Sequence, residues 1–225
     1  MNHRREKVTE QKQKREERRD ALENRQQLLQ TAEALFSKRD IEAVTMTEIA
    51  KAAGVGQGTL YRHFAHKGEL LEALLSPHFE RFQEEAIANF GYEQAATQPL
   101  QLIYLFLIHF AHFIEEHTAY LQALYRAYQA QGGRSFYQCA GHQWNKERVK
   151  YYLQNAVGVG ASSADLDSDY LAESLLAVIQ VDLYLYQRHT LDWSEERIVN
   201  GLAQLLEGLA KHSLHLPEQM VGRKM

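Results

Sequence analysis

The sequence predicts an all-α fold of about nine helices, and three observations support this prediction. Apolar side chains recur at helical spacing along most of the 225 residues. Three prolines and thirteen glycines are too few for the many turns of a β-sandwich or barrel. Apolar residues make up 45% of the chain, an ordinary globular share, so the protein can bury a core.

The composition also excludes several classes of protein. The longest nearly apolar run, residues 102–114, is shorter than the roughly 20 residues that a membrane-spanning helix needs. The charged N-terminus does not resemble a secretory signal. Cys139 is the only cysteine, which excludes an internal disulfide and a multi-cysteine zinc site. We therefore expect a cytoplasmic protein with no membrane partner.

The N-terminal third divides into a charged extension and short helices. Residues 1–24 hold almost no apolar side chains, so we expect a disordered segment or a frayed helix that extends the next helix backwards. From Leu28 the apolar spacing predicts a helix that ends near Arg39. Two short helices and a longer one are then expected at about 47–53, 57–64 and 67–89.

The remaining chain predicts longer helices. Thr97 is the expected N-cap of a helix that has Pro99 in its first turn and ends near His117. This helix is apolar nearly all round, which is typical of a central, buried position. The following helices are expected to end at Gly132-Gly133 and to span 135–155, 167–189 and 194–212, with a loop at 158–163 and Ser194 as the last N-cap.

The segment from Thr45 to Phe64 has the pattern of two helices joined by a tight turn. Thr45 followed by Glu48 is a capping box, which starts a helix. Gly54 stands where that helix must reverse direction, because glycine readily adopts positive φ. Leu60 and Phe64 then anchor the next helix on the core. This is a helix-turn-helix, whose second helix is sized for the DNA major groove.

The outward side chains of that second helix are suited to DNA. They form hydrogen bonds and include no carboxylate that would repel phosphate: Gln57, Thr59, Tyr61, Arg62 and His63. Residues 1–70 carry 14 basic and 11 acidic side chains, whereas residues 71–225 have a net charge of −7. A basic end on an acidic body is typical of a protein that contacts a polyanion with one end only.

The run from about Leu28 to Leu75 resembles the DNA-binding domain of the TetR family of bacterial transcriptional regulators. The family pattern is filled by Thr45, Ile49, Ala50, Gly54, Val55, Gly58, Thr59, Leu60, Tyr61, His63, Phe64, Lys67, Leu70 and Leu71. The resemblance implies base contacts from Gln57, Gly58, Thr59 and His63, with Arg62 nearby. It implies phosphate contacts from Thr45, Thr47, Tyr61 and Lys67. Gly56 departs from the pattern, because many relatives have a polar side chain there.

The resemblance also implies a domain organisation and partners. Residues 25–70 would form the helix-turn-helix domain, and residues 71–225 a helical domain for effector binding and dimerisation. A homodimer would place two reading helices about 34 Å apart on a palindromic operator of double-stranded DNA. The last two helices carry the candidate interface residues Leu175, Ile179, Ile198, Leu202, Leu205 and Leu209. That these side chains pack inside one subunit remains an alternative.

A small-molecule effector is expected in the helical body. Sixteen of the 23 aromatic residues lie between residues 100 and 193, and rings with a few polar tips commonly line ligand pockets. The candidate lining residues are Tyr104, Phe110, Tyr125, Trp144 and Tyr184. The expected function is that of a repressor released from its operator by a largely apolar or aromatic effector.

Catalytic residues, cofactors and metals are not expected. His109, His112 and Glu116 share a helix face, but their spacing lacks a metal-binding signature and no second cluster accompanies them. Two alternatives stay open. One is a ligand-independent DNA-binding protein of the same fold that acts as an activator or in chromosome organisation, and the other is a helical metal-dependent enzyme.

Overall fold

The computed structural model describes residues 2–90, 97–130, 136–160 and 166–208, with the backbone alone for residues 2–14, 16 and 17. These ranges contain ten α-helices and no strand, which confirms the all-α class. The helices are α1 (Asn2–Phe36), α2 (Met46–Ala52), α3 (Gln57–His63), α4 (Lys67–Asn89), α5 (Pro99–Glu116), α6 (Thr118–Ala130), α7 (Ala140–Gly158), α8 (Ser168–Ala177), α9 (Val181–Leu185) and α10 (Glu195–Glu207). A 3₁₀ turn at Phe136–Gln138 precedes α7, and a π turn at Tyr186–Thr190 follows α9.

The chain divides into two compact units, residues 1–76 and 77–225. Helix α4 begins in the first unit and ends in the second. Pro77 lies inside α4 at the division and removes one helical hydrogen bond there. None of the described helices is long and apolar enough to cross a membrane.

The first unit is a three-helix domain with the start of α4 packed onto it. Helix α1 buries Leu28 and Ala32 completely, and α2 and α3 bury Ile49 and Leu60 in the same core. The Gln27 amide donates to the Ala53 carbonyl at 2.8 Å, which ties α1 to the end of α2. Helix α1 reaches back to Asn2, so residues 2–24 adopt the helical one of the two expected states.

The turns around α2 follow the local rules of the sequence. The Thr45 hydroxyl accepts from the Glu48 amide at 3.2 Å, and the Glu48 carboxylate accepts from the Thr45 amide at 2.8 Å, which completes the capping box. Gly54 has φ +70°, so the helix reverses at a residue without a Cβ. The predicted helix-turn-helix is therefore present in the structure.

In the second unit, α5 is the central helix, as its all-round apolar pattern predicted. It packs on α6, α7 and α10, and buries ten of its eighteen residues. Phe82 of α4 contacts Phe106 and Phe113 of α5, with ring centroids 5.8 and 5.1 Å away, and Trp144 of α7 at 6.0 Å. The Tyr152 hydroxyl donates to the Phe90 carbonyl at 2.6 Å and so joins α7 to the end of α4.

Several predicted boundaries differ from the structure. Gln98, not Thr97, is the N-cap of α5, because Pro99 occupies the first helical position. Helix α7 begins at Ala140, capped by the Cys139 sulfur, rather than at residue 135. The helix expected over 167–189 divides after Ala177, where Val178, Ile179 and Val181 concentrate β-branched residues of low helix propensity. The Gly132-Gly133 break, part of the 158–163 loop and residues after 208 fall outside the described ranges.

The Glu48 carboxylate makes the stability of the first unit pH-dependent. Its hydrogen bond from the Thr45 amide, with the Arg39 guanidinium 2.9 Å away, lowers the pKa of Glu48 to about 2. Because this pKa lies below its unfolded value of 4.5, the contribution of Glu48 is full above pH 4.5 and is lost as pH falls towards 2. We expect Glu48→Gln to be less stable than the wild type at pH 7 and equally stable near pH 2.

Denaturant unfolding of both proteins across this pH range measures the difference. Glu42→Gln, which changes an exposed carboxylate on the preceding turn, is the control for a general charge effect. A gap between wild type and Glu48→Gln that stays constant from pH 7 to pH 2 would contradict the assignment.

Candidate nucleic-acid interface

Helix α3 presents a polar surface on the first unit. Leu60 is fully buried and fixes the inner face, while Gln57, Gly58, Tyr61 and Arg62 are exposed. Thr59 is half-buried on the same helix. Tyr61 has 49% of its surface exposed although it is a large ring. Helix α3 contains no acidic residue, so an approaching phosphate meets no like charge from it.

Gln57 is held in place by α2. Its amide donates to the Thr47 hydroxyl at 3.1 Å. An amide has two donor hydrogens and one acceptor oxygen. The bond to Thr47 uses one hydrogen and orients the side chain, so the other hydrogen and the oxygen remain for hydrogen bonds to an adenine edge. Thr47 thus supports Gln57 besides being an exposed candidate for phosphate contact.

The Thr45 hydroxyl is used mainly within the protein. It donates to the Glu48 carboxylate at 2.9 Å and accepts from the Glu48 amide. A hydroxyl has one hydrogen, so a phosphate contact from Thr45 would have to break the first of these bonds. Its principal role in the structure is to start α2.

His63 lies at the end of α3 and is half-buried. Burial, together with the nearby charges of Arg62 and Arg25, lowers the pKa of His63 and so favours its neutral ring. The Arg25 guanidinium lies over the Phe64 ring, 5.2 Å from its centroid. Arg25 is a candidate for DNA contact that the motif did not reveal. It lies three residues before Leu28, and its exposed side chain reaches Phe64 at the end of α3.

Lys67, for which the resemblance implies a phosphate contact, forms hydrogen bonds within the protein. Its ammonium donates to the carbonyls of Ile41 and Val44, the latter at 2.8 Å, in the turn between α1 and α2. Burial lowers the pKa of Lys67, while nearby carboxylates oppose that shift. Lys67 therefore holds a turn of the protein, and a phosphate contact would require these bonds to be exchanged.

Comparison with known proteins identifies this domain. Residues 28–74 match the family model for bacterial regulatory proteins of the tetR family. This part of the chain is therefore similar to the DNA-binding domain of that family. An HTH-type transcriptional regulator of Staphylococcus aureus (strain MRSA252) is 27% identical over 76% of this chain and 85% of that protein. A second one, from strain USA300, is 34% identical over 37% of this chain and 49% of that protein.

A solved structure extends the likeness to the fold of both units. Thermus thermophilus FadR, a TetR-family transcriptional repressor in complex with lauroyl-CoA, superimposes with a TM-score of 0.62 at 18% identity. The match covers 86% of this chain and 98% of that chain. The chain therefore shares the fold of this repressor beyond residues 28–74.

The residues predicted to bind an effector are spread over the second unit. Phe110 and Trp144 both contact Phe82, with ring centroids 5.7 and 6.0 Å away, and Tyr104 is buried on α5. The Tyr125 hydroxyl instead donates to the Asp182 carboxylate at 3.2 Å. A cleft of about 280 Å³ along α7 is lined by Trp144, Glu147, Arg148, Lys150, Tyr151 and Gln154, so of the five predicted residues it holds one.

Tyr184 belongs to a charged cluster that the sequence did not reveal. Its hydroxyl donates to the Glu115 carboxylate at 3.0 Å, and the Arg188 guanidinium donates to the same oxygen. Burial opposes ionisation of Glu115, but these bonds lower its pKa below the ordinary value. Tyr184 is fully buried, so it joins α9 to α5 rather than lining an open surface.

The residues predicted for the dimer interface have two different surroundings. Leu175, Ile179, Ile198 and Leu202 are buried within the single chain, although Ile198 and Leu202 also line a cleft along α10. Leu205 is 51% exposed on α10. Leu209 falls outside the described residues. A cleft of about 610 Å³ along α10 includes Leu205 and Trp193 in its lining.

The histidines that share a face of α5 point to different neighbours. His109 lies 3.6 Å from the Glu85 carboxylate of α4, and His112 lies 3.1 Å from that of Glu195 of α10. Among the described residues, no group of three or more histidine, cysteine or acidic side chains could hold a metal ion.

The position of Lys67 leads to a stability prediction. Lys67→Met keeps the aliphatic stem and removes the ammonium. The Val44 carbonyl then loses this donor, and the Ile41 carbonyl keeps only its bond from the Val44 amide. We expect a loss of about 1–3 kcal/mol in the free energy of unfolding, because a part-buried carbonyl would be left unsatisfied. Urea unfolding measures the loss.

Lys51→Met is the matched control, since Lys51 is exposed on α2 and is expected to change stability by less than about 0.5 kcal/mol. The salt dependence of DNA binding should not change in Lys67→Met. Unchanged stability combined with a shallower salt dependence would instead assign Lys67 to phosphate.

Proposed function

We propose that this chain is a transcriptional repressor that binds a palindromic operator as a homodimer and is released by a small, largely apolar or aromatic effector. The observation that carries the proposal is the exposed, acid-free surface of α3, oriented by Leu60 from inside and by Thr47 from the side. A helix of this kind fits the major groove, where amide and guanidinium groups distinguish base pairs.

The proposal of a homodimer is based on exposed apolar side chains near the end of the described chain. Four exposed large apolar side chains occur within 23 residues there: Leu183, Tyr186, Leu191 and Leu205. Exposed apolar patches commonly mark protein–protein interfaces. A second copy packed on this region would cover Leu205 and the α10 cleft, and would set the spacing of the two reading helices.

The proposal of a small-molecule effector is based on the aromatic side chains of the second unit. Trp144 and Tyr151 line the α7 cleft together with charged side chains, which is the mixture of rings and polar tips that small-molecule sites use. FadR, which has the same fold, is described in complex with lauroyl-CoA, a ligand with a long apolar chain. An effector on α7 would therefore contact these rings with its apolar part.

Release from DNA requires that the effector bind one conformation of the dimer more tightly than the other. Helix α4 is the element that belongs to both units, and Pro77 removes one hydrogen bond at their division. A bend at this point would change the spacing of the reading helices. The operator would then be bound less tightly.

The DNA-reading role of Gln57 is tested by selection of bound sequences from random DNA. We expect Gln57→Ala to relax the preference at one base pair of each half-site, a loss of about 1–3 kcal/mol in discrimination. Thr47→Val is the matched comparison, because it removes the hydrogen bond that orients Gln57 but keeps the amide. It should weaken the preference at the same base pair, by less than Gln57→Ala does. An unchanged selected sequence in Gln57→Ala would contradict the proposed reading helix.

The homodimer is tested by Leu205→Glu, which places a charge on the exposed face of α10. We expect this variant to sediment as a monomer at concentrations where the wild type is a dimer, because a buried unpaired carboxylate opposes association. Ile87→Glu makes the same kind of change at an exposed aliphatic residue of α4 and should remain a dimer. A dimeric Leu205→Glu would place the interface elsewhere.

A further inference from the structure

The positive charge of the N-terminal third lies outside its folded core. Residues 28–70 contain five basic and five acidic side chains, so their net charge is zero. Residues 1–27 contain nine basic and six acidic side chains, a net charge of +3. The segment that precedes the packed part of α1 therefore supplies the whole positive excess of residues 1–70.

Two of the five cations in the folded core are committed within the protein. Lys67 donates to carbonyls in the turn between α1 and α2. Arg39 donates to the Glu48 carboxylate at 2.9 Å and to the Ala43 carbonyl at 3.2 Å. Lys38, Lys51 and Arg62 are the other three. Since affinity for DNA grows with the number of phosphates that cations neutralise, this core alone offers little of that affinity.

The first part of α1 extends beyond the core as a helix. Among the side chains that the structure describes, Leu28 is the first that is buried, and residues 2–27 add about 39 Å of helix at 1.5 Å per residue. Arg18, Arg19 and Arg25 are exposed along it, and Leu22 has 69% of its surface exposed. Because Arg25 lies over the Phe64 ring, this helical arm leaves the core beside the C-terminal end of α3.

The composition of this arm decides which kind of partner it fits. Its apolar side chains before residue 25 are Val8, Ala21 and Leu22, too few for the repeating stripe of a coiled coil or a packed helix. A polar helix of this kind gains little stability from its own hydrogen bonds in water. The Arg19–Glu23 ion pair, at 3.5 Å, is fully on the surface and contributes little. A polyanion offers the arm the charge complementarity that it lacks in the free chain.

We propose that residues 2–27 form a helical arm that binds phosphates of the DNA next to the half-site read by α3, without regard to sequence. This inference rests on the proposed DNA-binding function and assigns most of the electrostatic affinity to a segment outside the helix-turn-helix. Specificity then resides in α3 and salt-dependent affinity in the arm.

The test compares full-length variants on a random-sequence DNA duplex of 40 base pairs. In one variant Arg15, Arg18 and Arg19 are replaced by glutamine, and in the matched control the same three are replaced by lysine. The plot of log affinity against log salt concentration should become shallower by about 2–3 in the glutamine variant, since each neutralised phosphate contributes about 0.9. Its affinity at 0.1 M salt should fall at least about tenfold, while the lysine variant keeps the wild-type values.

Three results would overturn the proposal, and one of them separates it from the proposed function. A wild-type slope and affinity in the glutamine variant would overturn the arm and leave DNA binding by α3 intact. If the wild-type chain fails to bind the duplex even at low salt, the proposed function falls together with the arm. Loss of self-association without DNA in the glutamine variant, seen by sedimentation, would assign the arm to a second copy of the chain. Equal thermal unfolding of all three proteins shows that the substitutions leave the fold unchanged.

Discussion

The turn between α1 and α2 determines where α3 lies. Lys67, at the first residue of α4, donates to two carbonyls of this turn, and Arg39 bridges from the turn to Glu48 inside α2. The start of α2 is thereby fixed from both sides. Because α3 follows α2 after only the Gly54 turn, fixing α2 also fixes the direction in which Gln57 and Tyr61 project.

This arrangement has an electrostatic consequence. A cation that holds a turn of the protein is not available to a phosphate at the same time. The three-helix core uses Lys67 and Arg39 for its own geometry, and its net charge is zero. To position α3, a lysine or arginine has to form hydrogen bonds within the protein, whereas to attract DNA it has to be free to reach a phosphate. In this chain the two demands are met by different segments, since the cationic excess lies in the extension of α1.

The helix-turn-helix could be predicted from short sequence patterns. Contacts between residues far apart in the sequence could not. The capping box spans three residues and the Gly54 turn needs one positive φ, so both can be identified in a short stretch of sequence. The carbonyl partners of Lys67 lie 23 and 26 residues away, and only the folded chain brings them together. The resemblance supplied a residue type at position 67 but not its neighbours. Similarly, five aromatic residues on four helices suggested one pocket, although their actual partners depend on how those helices pack.

Helix α10 shows why apolar spacing predicts a buried face but not what buries it. Ile198, Leu202 and Leu206 recur every four residues and face the interior of their own unit. Leu205 is one residue before Leu206, which turns it by about 100° on the helix, and it is exposed. A sequence pattern that counts all four leucines and isoleucines as one stripe assigns them a single partner. The structure separates them into a face already covered by the chain and an adjoining apolar edge. A partner that covers this edge has to contact Leu205 and the α10 cleft, whose lining also includes Ile198 and Leu202.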